Sequence, residues 1–233
     1  MDRQRILRWL RRFGNGAEDL LFPDRSECIC CGGWSGGAYL CGDCVRQLEQ
    51  LRMVSQPAKK WLHPPAGGAD PMRVYSVWMH VHEARRLVLK LKFRHHSAAA
   101  GVIAPYMAEI IRPCSPDTVV TWAATAPDHV RQRGWDHGEE LARAVAKELG
   151  LPCEPLLARV NTKHLRAQRG LTAEKRMKNV RNTYASLRLV TEPVILVDDV
   201  ITTGATALEC VRTLQRAGSP DVRVLTATQA VMK

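Results

Sequence analysis

The stretch VILVDDVITTGAT, residues 194–206, runs four aliphatic residues into two carboxylates and then into three threonines around one glycine. Positions 194–197 are apolar throughout, which is typical of a central strand in a parallel sheet that is covered on both faces. A helix is predicted over 205–217, because Gly218 and Pro220 stop it. The segment therefore predicts a strand–turn–helix unit of an α/β protein.

The two carboxylates that follow the predicted strand are expected in a solvated crevice, because ligands of such sheets bind beyond the carboxyl ends of the strands. Asp198 and Asp199 can accept hydrogen bonds from a vicinal diol and help to hold a divalent cation. The hydroxyls and N–H groups of Thr202–Thr206 can bind a phosphate at the start of the helix, and Gly204 lets the backbone approach it. We predict a socket for a ribose with a 5′-phosphate. A turn in which Asp199 merely caps the helix is the alternative, but a cap needs only one such residue.

The rest of the C-terminal two thirds alternates strands with helices. A short strand near Tyr75 precedes the first predicted helix. Further helices are predicted over 82–93, 98–111 and 138–150, and strands over 118–124, 194–198 and 222–228. This alternation predicts a Rossmann-type α/β fold in which helices cover both faces of a parallel sheet.

Five of the eight cysteines lie in the stretch CICCGGWSGGAYLCGDC, residues 28–44. Cys28 with Cys31, and Cys41 with Cys44, form two C-x-x-C pairs, the spacing of a structural zinc site with four sulfur ligands. Cys30 is expected to point away from the metal. Disulfides are the competing interpretation, but a cytoplasmic location disfavours them.

The N-terminal region and the linker set the expected domain division. Residues 1–55 are predicted to form a basic N-terminal helix and the zinc module, residues 56–71 a Pro- and Gly-rich linker, and residues 72–233 the α/β domain. No apolar run approaches the ~18 residues that span a bilayer, so no transmembrane segment is expected. Arginines interrupt the apolar residues of the N-terminal stretch MDRQRILRWLRRF and with them any signal-peptide core, which predicts a cytoplasmic protein. The basic helix is expected to dock on the protein's own core, or to hold the protein peripherally at the inner face of the membrane.

The charge balance favours polyanionic partners. The chain has 34 basic and 23 acidic residues, a net charge of +11. Such a surplus is suited to phosphorylated metabolites, nucleic acid or anionic lipid. Nine basic residues and one acidic residue lie between Arg159 and Arg188. This local excess indicates an anion-binding segment, and a solvated basic surface is the alternative.

These motifs together resemble a known family. The 194–206 stretch resembles the 5-phosphoribosyl-1-diphosphate (PRPP) signature of type I phosphoribosyltransferases. The wider chain resembles the ComF/GntX family, which joins a cysteine zinc module to that domain. The resemblance extends over LLFPDRSECICC, LKFRHH, RQRGWDHGEELA and QRGLTAEKRMKNVRNTY. Family members show R-G-[FY]-N-Q where this chain reads RGWDH, and a P-V-P turn where it reads AATAP.

The resemblance implies a phosphoribosyltransferase-like fold and a reaction in which PRPP, bound with Mg²⁺, loses pyrophosphate as a nucleophile attacks the ribose. The catalytic residues it implies are Asp198, Asp199, Arg176 and Lys163, the last two on a basic lid over pyrophosphate. The substrate-binding residues it implies are Val200, Thr202, Thr203, Gly204, Ala205, Thr206, Arg131, Arg133 and Lys92. Structural Zn²⁺ on Cys28, Cys31, Cys41 and Cys44 completes the expected cofactors.

The resemblance also implies a role in DNA uptake during natural competence. Two functions remain open from the sequence. The first is a phosphoribosyltransferase whose acceptor the sequence does not name. The second is a catalytically silent module that binds PRPP or single-stranded DNA and partners the DNA-uptake helicase or recombination-mediator proteins. The net positive charge suits phosphate-backbone contacts, and six tryptophans offer stacking surfaces.

Overall fold

A four-stranded parallel sheet forms the centre of the molecule. The computed structural model describes residues 26–53, 72–92, 98–125, 130–131, 134–160 and 183–230. Numbered in chain order, the strands are β1 (Arg73–Met79), β2 (Val119–Trp122), β3 (Leu157–Arg159), β4 (Tyr184–Ser186), β5 (Val194–Ile201) and β6 (Val222–Gln229). The helices are α1 (Gly42–Gln50), α2 (His82–Lys90), α3 (Ala98–Ile111), α4 (His137–Leu149) and α5 (Ala205–Arg216). The large sheet has the order β1-β6-β5-β2, and β3 and β4 form a separate antiparallel pair.

Strand β5 occupies an inner position and is apolar on both faces over its first half. Ile195 and Val197 pack with residues of α2, α3 and α4 in one core cluster. Val194 and Leu196 pack with residues of α5 in a second cluster. Removing a side chain of this size from water contributes about 1.5–3 kcal/mol. Helices therefore cover both faces of the parallel sheet, and the predicted α/β fold class is confirmed.

Most elements lie where the sequence places them, with two kinds of difference. Helix α3 has the predicted bounds, whereas β2 is shorter than the predicted 118–124 strand. Strand β5 continues to Ile201, past the predicted end at residue 198, because its backbone ladder with β6 does not depend on the acidic side chains. The short elements α1, β3 and β4 were not predicted.

The four-cysteine module packs on the β1 edge of the sheet. The backbone N–H of Met53 donates to the carbonyl of Val77 at 2.9 Å, and that of Met79 donates to Leu51 at 3.2 Å. Leu48 of α1 is fully buried in the same core cluster as Trp78 of β1. These contacts cover a strand edge that would otherwise offer unpaired backbone groups. The division at 55 and 72 remains a prediction, because most of the intervening segment lies outside the described residues.

Within the described ranges, each helix is too short or too polar to span a bilayer. The predicted basic N-terminal helix and nearly all of the predicted linker lie outside these ranges.

Candidate ligand site and metal centre

The candidate crevice lies where β2 ends beside β5. Trp122, the last residue of β2, pairs with Val197, so β5 continues for four residues beyond its neighbour. On its other side, β5 stays paired with β6 as far as Ile201 and Gln229. The predicted acidic pair is therefore placed inside the strand and not after it. Its β2 side faces the loop that follows Trp122.

The two carboxylates lie side by side near the end of β5, and their side chains interact directly. Asp199 is 8% exposed and faces α2 and α4. Its Oδ2 lies 3.3 Å from Nζ of Lys92 and 3.6 Å from Nε2 of His137. Asp198 faces α5, where its charge acts on the buried thiol of Cys210. The two residues thus form one acidic pair, and among the described residues only Asp199 has a cation in direct contact.

Asp198 is in an environment that disfavours its charge. Burial of the carboxyl group, reinforced by the neighbouring Asp199 carboxylate, raises the pKa of Asp198 well above its usual range. The backbone N–H of Asp199 donates to Asp198 Oδ1 at 2.8 Å and partly offsets this effect. A ligand that donates hydrogen bonds to this carboxylate would therefore relieve an existing penalty.

Two consecutive hydrogen bonds, through Thr228 and His80, hold the backbone of Asp199 from the β6 side. The hydroxyl of Thr228 donates to the carbonyl of Asp199 at 3.3 Å. Nδ1 of His80 lies 2.8 Å from the same hydroxyl oxygen, which accepts when Nδ1 carries the proton. Burial, followed by the charge of Arg85, lowers the pKa of His80. The lowered pKa favours the neutral form of His80.

The turn after β5 presents unused hydroxyls at the N-terminus of α5. Thr202 is exposed, and Thr203 and Thr206 are partly exposed. Gly204 takes the left-handed conformation with φ 71° and begins α5 without a side-chain cap. Within the part of the chain that the structure describes, these three hydroxyls make no hydrogen bond. A helix N-terminus with free N–H and O–H donors is suited to a phosphate.

The first turn of α4 contacts both β2 and β5. Asp136 caps the helix by accepting from the N–H of Gly138 at 2.9 Å. Its two oxygens also accept from the hydroxyl of Thr125 at 2.7 Å and from the N–H of Thr125 at 2.9 Å. The next residue, His137, is the one beside Asp199. The start of α4 thus contacts both the loop after β2, through Asp136, and Asp199, through His137.

The structure describes some of the remaining predicted site residues and not others. Lys92 comes to Asp199 from the end of α2. Val200 is partly buried, Ala205 is buried at the start of α5, and Arg131 is exposed. Arg133, Lys163 and Arg176 lie outside the described residues, as does most of the predicted basic lid.

Sequence reasoning missed several side chains of the site: Thr125, Asp136, His137, Tyr184 and Thr228. Asp136 and His137 stand where the family pattern has Asn and Gln, and that departure was the one available signal. The others carry no local pattern, because their roles arise from strand pairing and helix packing.

The four predicted metal ligands come together in the structure. The sulfur atoms of Cys28, Cys31, Cys41 and Cys44 all lie within 4.8 Å of one another. The Sγ atoms of Cys31 and Cys41 are 3.8 Å apart. A tetrahedral zinc ion with Zn–S bonds of about 2.3 Å requires S–S separations of about 3.8 Å. The donor set and its spacing therefore fit zinc in a closed, structural site.

Backbone donors favour the metal-binding form of Cys28, whereas burial raises the pKa of Cys44. Burial acts to raise the pKa of Cys28, but hydrogen bonds from the backbone of Cys31, Cys41 and Cys30 lower it to about 7. The N–H of Gly33 donates to Cys31 Sγ at 3.4 Å. Cys30 stands outside the cluster, and its thiol donates to the carbonyl of Glu83 in α2 at 3.5 Å. Thiolates are the species that bind zinc, so this arrangement suits a metal.

No family model matches the chain. Competence protein F of Haemophilus influenzae is 35% identical over 103 residues, which are 41% of this chain and 44% of that protein. The DNA utilization protein YhgH of Salmonella typhimurium is 27% identical over 202 residues, or 79% of this chain and 88% of that protein. The match thus spans less than half of the Haemophilus protein.

Similar solved structures include proteins whose names refer to phosphoribosyl chemistry. Glutamine PRPP amidotransferase from B. subtilis shares 24% identity over 55% of this chain and 26% of its own, with a TM-score of 0.38. A phosphoribosyltransferase from Corynebacterium diphtheriae shares 20% identity over 61% of this chain and 69% of its own, with a TM-score of 0.35. Such scores say nothing about this chain's activity. The resemblance to ComF-type proteins is confirmed by the curated relatives, since the chain is similar to Competence protein F and to the DNA utilization protein YhgH.

Proposed function

We propose that this chain binds PRPP in the crevice between the carboxyl ends of β2 and β5 and transfers its phosphoribosyl group. The supporting observation is the order of groups along β5 and α5. Two adjacent carboxylates in the last half of a parallel strand lead into a glycine-containing turn with three free hydroxyls at a helix N-terminus. Diol acceptors and phosphate donors thus lie in sequence, as a ribose 5-phosphate requires.

In this proposal, the ribose hydroxyls donate to Asp198 and Asp199, and the 5′-phosphate accepts from the Thr202–Thr206 turn. Hydrogen bonds to a charged group contribute about 1.5–3 kcal/mol each when they are well formed. The hydrogen bond to Asp198 contributes most, because the pKa of Asp198 is raised in the free protein and a hydrogen-bond donor favours its ionised form.

The transfer itself would depend on positioning and on charge stabilisation at the departing diphosphate. Mg²⁺, when bound with PRPP, would neutralise diphosphate oxygens, and Asp198 and Asp199 are oxygen ligands of the type it prefers. Among the described residues, Lys92 places a positive charge next to the acidic pair. The proposed lid residues Arg176 and Lys163 would add further positive charge.

We propose a biological role in DNA uptake. The names of two similar proteins, Competence protein F and the DNA utilization protein YhgH, support it. The net charge of +11 is suited to single-stranded DNA or to proteins that handle it. Anisotropy of a labelled oligonucleotide should show affinity that falls steeply with salt. An affinity that does not change with salt concentration, or no binding, would indicate that partner proteins make the DNA contacts.

Calorimetric titration with PRPP and Mg²⁺ tests the site. The natural chain should bind, and the Asp198→Asn/Asp199→Asn variant should lose at least tenfold in affinity because the diol loses its charged acceptors. A matched control, Asp117→Asn/Asp221→Asn, removes two carboxylates at the opposite ends of the strands and should bind like the natural chain. Equal affinity in all three proteins would reject the site.

Turnover is tested separately by pyrophosphate release from PRPP, with and without nucleobases as acceptors. A transferase should release pyrophosphate in a manner that requires both an acceptor and Asp199. Stoichiometric binding without release would favour the silent binding module over the enzyme.

A further inference from the structure

The start of helix α2 depends on contacts from outside the helix. His82, its first residue, takes a left-handed conformation with φ 44°, which residues other than glycine rarely adopt. Val81 precedes it without a side-chain cap. A backbone in this conformation persists only where surrounding groups fix it. Neighbouring elements must therefore hold the start of α2 in place.

The cysteine module supplies such contacts, and two of them are made to Glu83, the second residue of α2. The thiol of Cys30 donates to the Glu83 carbonyl at 3.5 Å. With its nitrogen turned toward α2, the side-chain amide of Gln47 donates to both carboxylate oxygens of Glu83, at 2.6 and 2.8 Å. Leu48 packs in one core cluster with Ala84, the next residue of α2. The module thus holds the first turn of α2 by its backbone and by its side chains.

Both residues that contact Glu83 are placed by the predicted metal ligands. Cys30 lies between two of the four ligands in sequence. Gln47 lies on α1, and the first turn of that helix is built on ligands, because the Cys41 sulfur accepts from the N–H of Cys44 at 3.5 Å. A bound zinc ion fixes the spacing of its four sulfur ligands. Metal loading therefore fixes where Cys30 and Gln47 meet α2.

The two ends of α2 lead to the proposed ligand site. Lys92, two residues after the helix, contacts Asp199 Oδ2 at 3.3 Å. His80, two residues before it, contacts the hydroxyl of Thr228, which donates to the Asp199 carbonyl. A shift of α2 would therefore disturb the side chain and the backbone of Asp199 together.

We infer that Glu83 is a positioning residue, through which the metal-loaded cysteine module holds α2, and with it Lys92, in place beside Asp199. For its effect on PRPP, the inference rests on the proposed function and deepens it, because it couples metal loading to ligand affinity. Such coupling is reciprocal, so PRPP should tighten zinc binding by the same factor by which zinc tightens PRPP binding.

The first experiment is calorimetric titration with PRPP and Mg²⁺. It compares the zinc-loaded chain with a chain from which the metal and then the chelator have been removed. Removal of zinc should weaken PRPP binding by a factor of about 5 or more, the lower end of typical coupling between two sites.

Variants of the contacts to Glu83 test the route. Cys30→Ala/Gln47→Ala keeps all four metal ligands and removes both contacts, so its zinc-loaded form should bind PRPP about threefold more weakly than the natural chain. Glu83→Ala should show a similar loss, and Glu83→Gln, which retains an acceptor for Gln47, should recover most of the affinity. The matched control Gln50→Ala removes an exposed glutamine three residues further along α1 and should bind like the natural chain.

Zinc affinity, measured without PRPP by competition with a chromophoric chelator, tests the coupling independently of the proposed function. Lys92→Met should weaken zinc binding by a factor of about 3 to 5, because the contact with Asp199 then no longer favours the position of α2 that the module holds. Lys147→Met removes an exposed lysine of α4 and should leave zinc affinity unchanged.

Circular dichroism establishes that each protein is folded. If the metal-free chain does not fold, the zinc-loaded variants of Cys30, Gln47 and Glu83 carry the test. Equal PRPP affinity with and without zinc, or a loaded double variant that binds PRPP like the natural chain, would overturn the inference. A natural chain that does not bind PRPP would reject the proposed function alone. The zinc affinity of Lys92→Met would then decide the inference, and a value equal to that of the natural chain would overturn it.

Discussion

The contact between Lys92 and Asp199 gives the most quantitative prediction. Asp199 is 8% exposed, and its Oδ2 lies 3.3 Å from Nζ of Lys92. At this distance, an effective dielectric constant of about 20 gives an attraction of about 5 kcal/mol before desolvation. Removing one partner of a buried pair costs about 3–5 kcal/mol, and the cost falls here because the Lys92 side chain is 33% exposed. We expect Lys92→Met to lower the free energy of unfolding by about 1–3 kcal/mol by the same reasoning.

Urea denaturation of the zinc-loaded protein, followed by tryptophan fluorescence, measures this change. The single variants Lys92→Met and Asp199→Asn and their combination form a double-mutant cycle, and its coupling energy should be about 1 kcal/mol or more. Lys147→Met removes an exposed lysine of α4 and should stay within about 0.5 kcal/mol of the natural chain. A coupling energy indistinguishable from zero would refute the ion pair and with it the electrostatic account of Asp199.

Three further predictions concern other parts of the structure. Asp198→Asn should raise the melting temperature at pH 7, because the raised pKa of Asp198 makes its ionisation unfavourable in the folded state. This gain in melting temperature should vanish below about pH 3.9, where the carboxyl group is protonated in the unfolded state as well as in the folded state. Gly204→Ala should lower the free energy of unfolding in urea by about 1 kcal/mol and weaken PRPP binding, because the φ of Gly204 is 71°. Gly218→Ala should lower the free energy of unfolding without affecting PRPP binding, because its Cβ would lie 2.9 Å from the Val190 carbonyl oxygen. Metal analysis should find about one zinc per chain, and chelation should lower the melting temperature; a metal-free chain that melts like the loaded one would reject the site.

The parts of the fold that could be predicted are those with a clear period. Helix α3 and the apolar start of β5 follow from local patterns, because burial on one or both faces leaves a repeating signal in the sequence. The three-residue strands β3 and β4 leave no such signal, since they flank a basic, aperiodic segment. The end of β5 was placed too early, because acidic residues inside a strand are disfavoured by propensity and the pairing with β6 overrides that preference.

The candidate site was predictable in its ligand groups but not in its supporting contacts. Asp198, Asp199 and the threonine turn are adjacent in sequence, so one motif contains them all. Lys92 comes more than 100 residues earlier, and its contact with Asp199 depends on how α2 packs. Asp136 and Thr125 meet only because α4 begins beside the end of β2. Such contacts are consequences of the tertiary fold, and sequence spacing does not encode them.

A crystal structure of the chain with PRPP and Mg²⁺ is the most direct test of the central claim. The account predicts density for the ribose between β2 and β5 against Asp198 and Asp199, with the 5′-phosphate within hydrogen-bond distance of the Thr202–Thr206 turn. PRPP bound elsewhere on the basic surface, with that turn in contact only with the protein's own atoms, would contradict it.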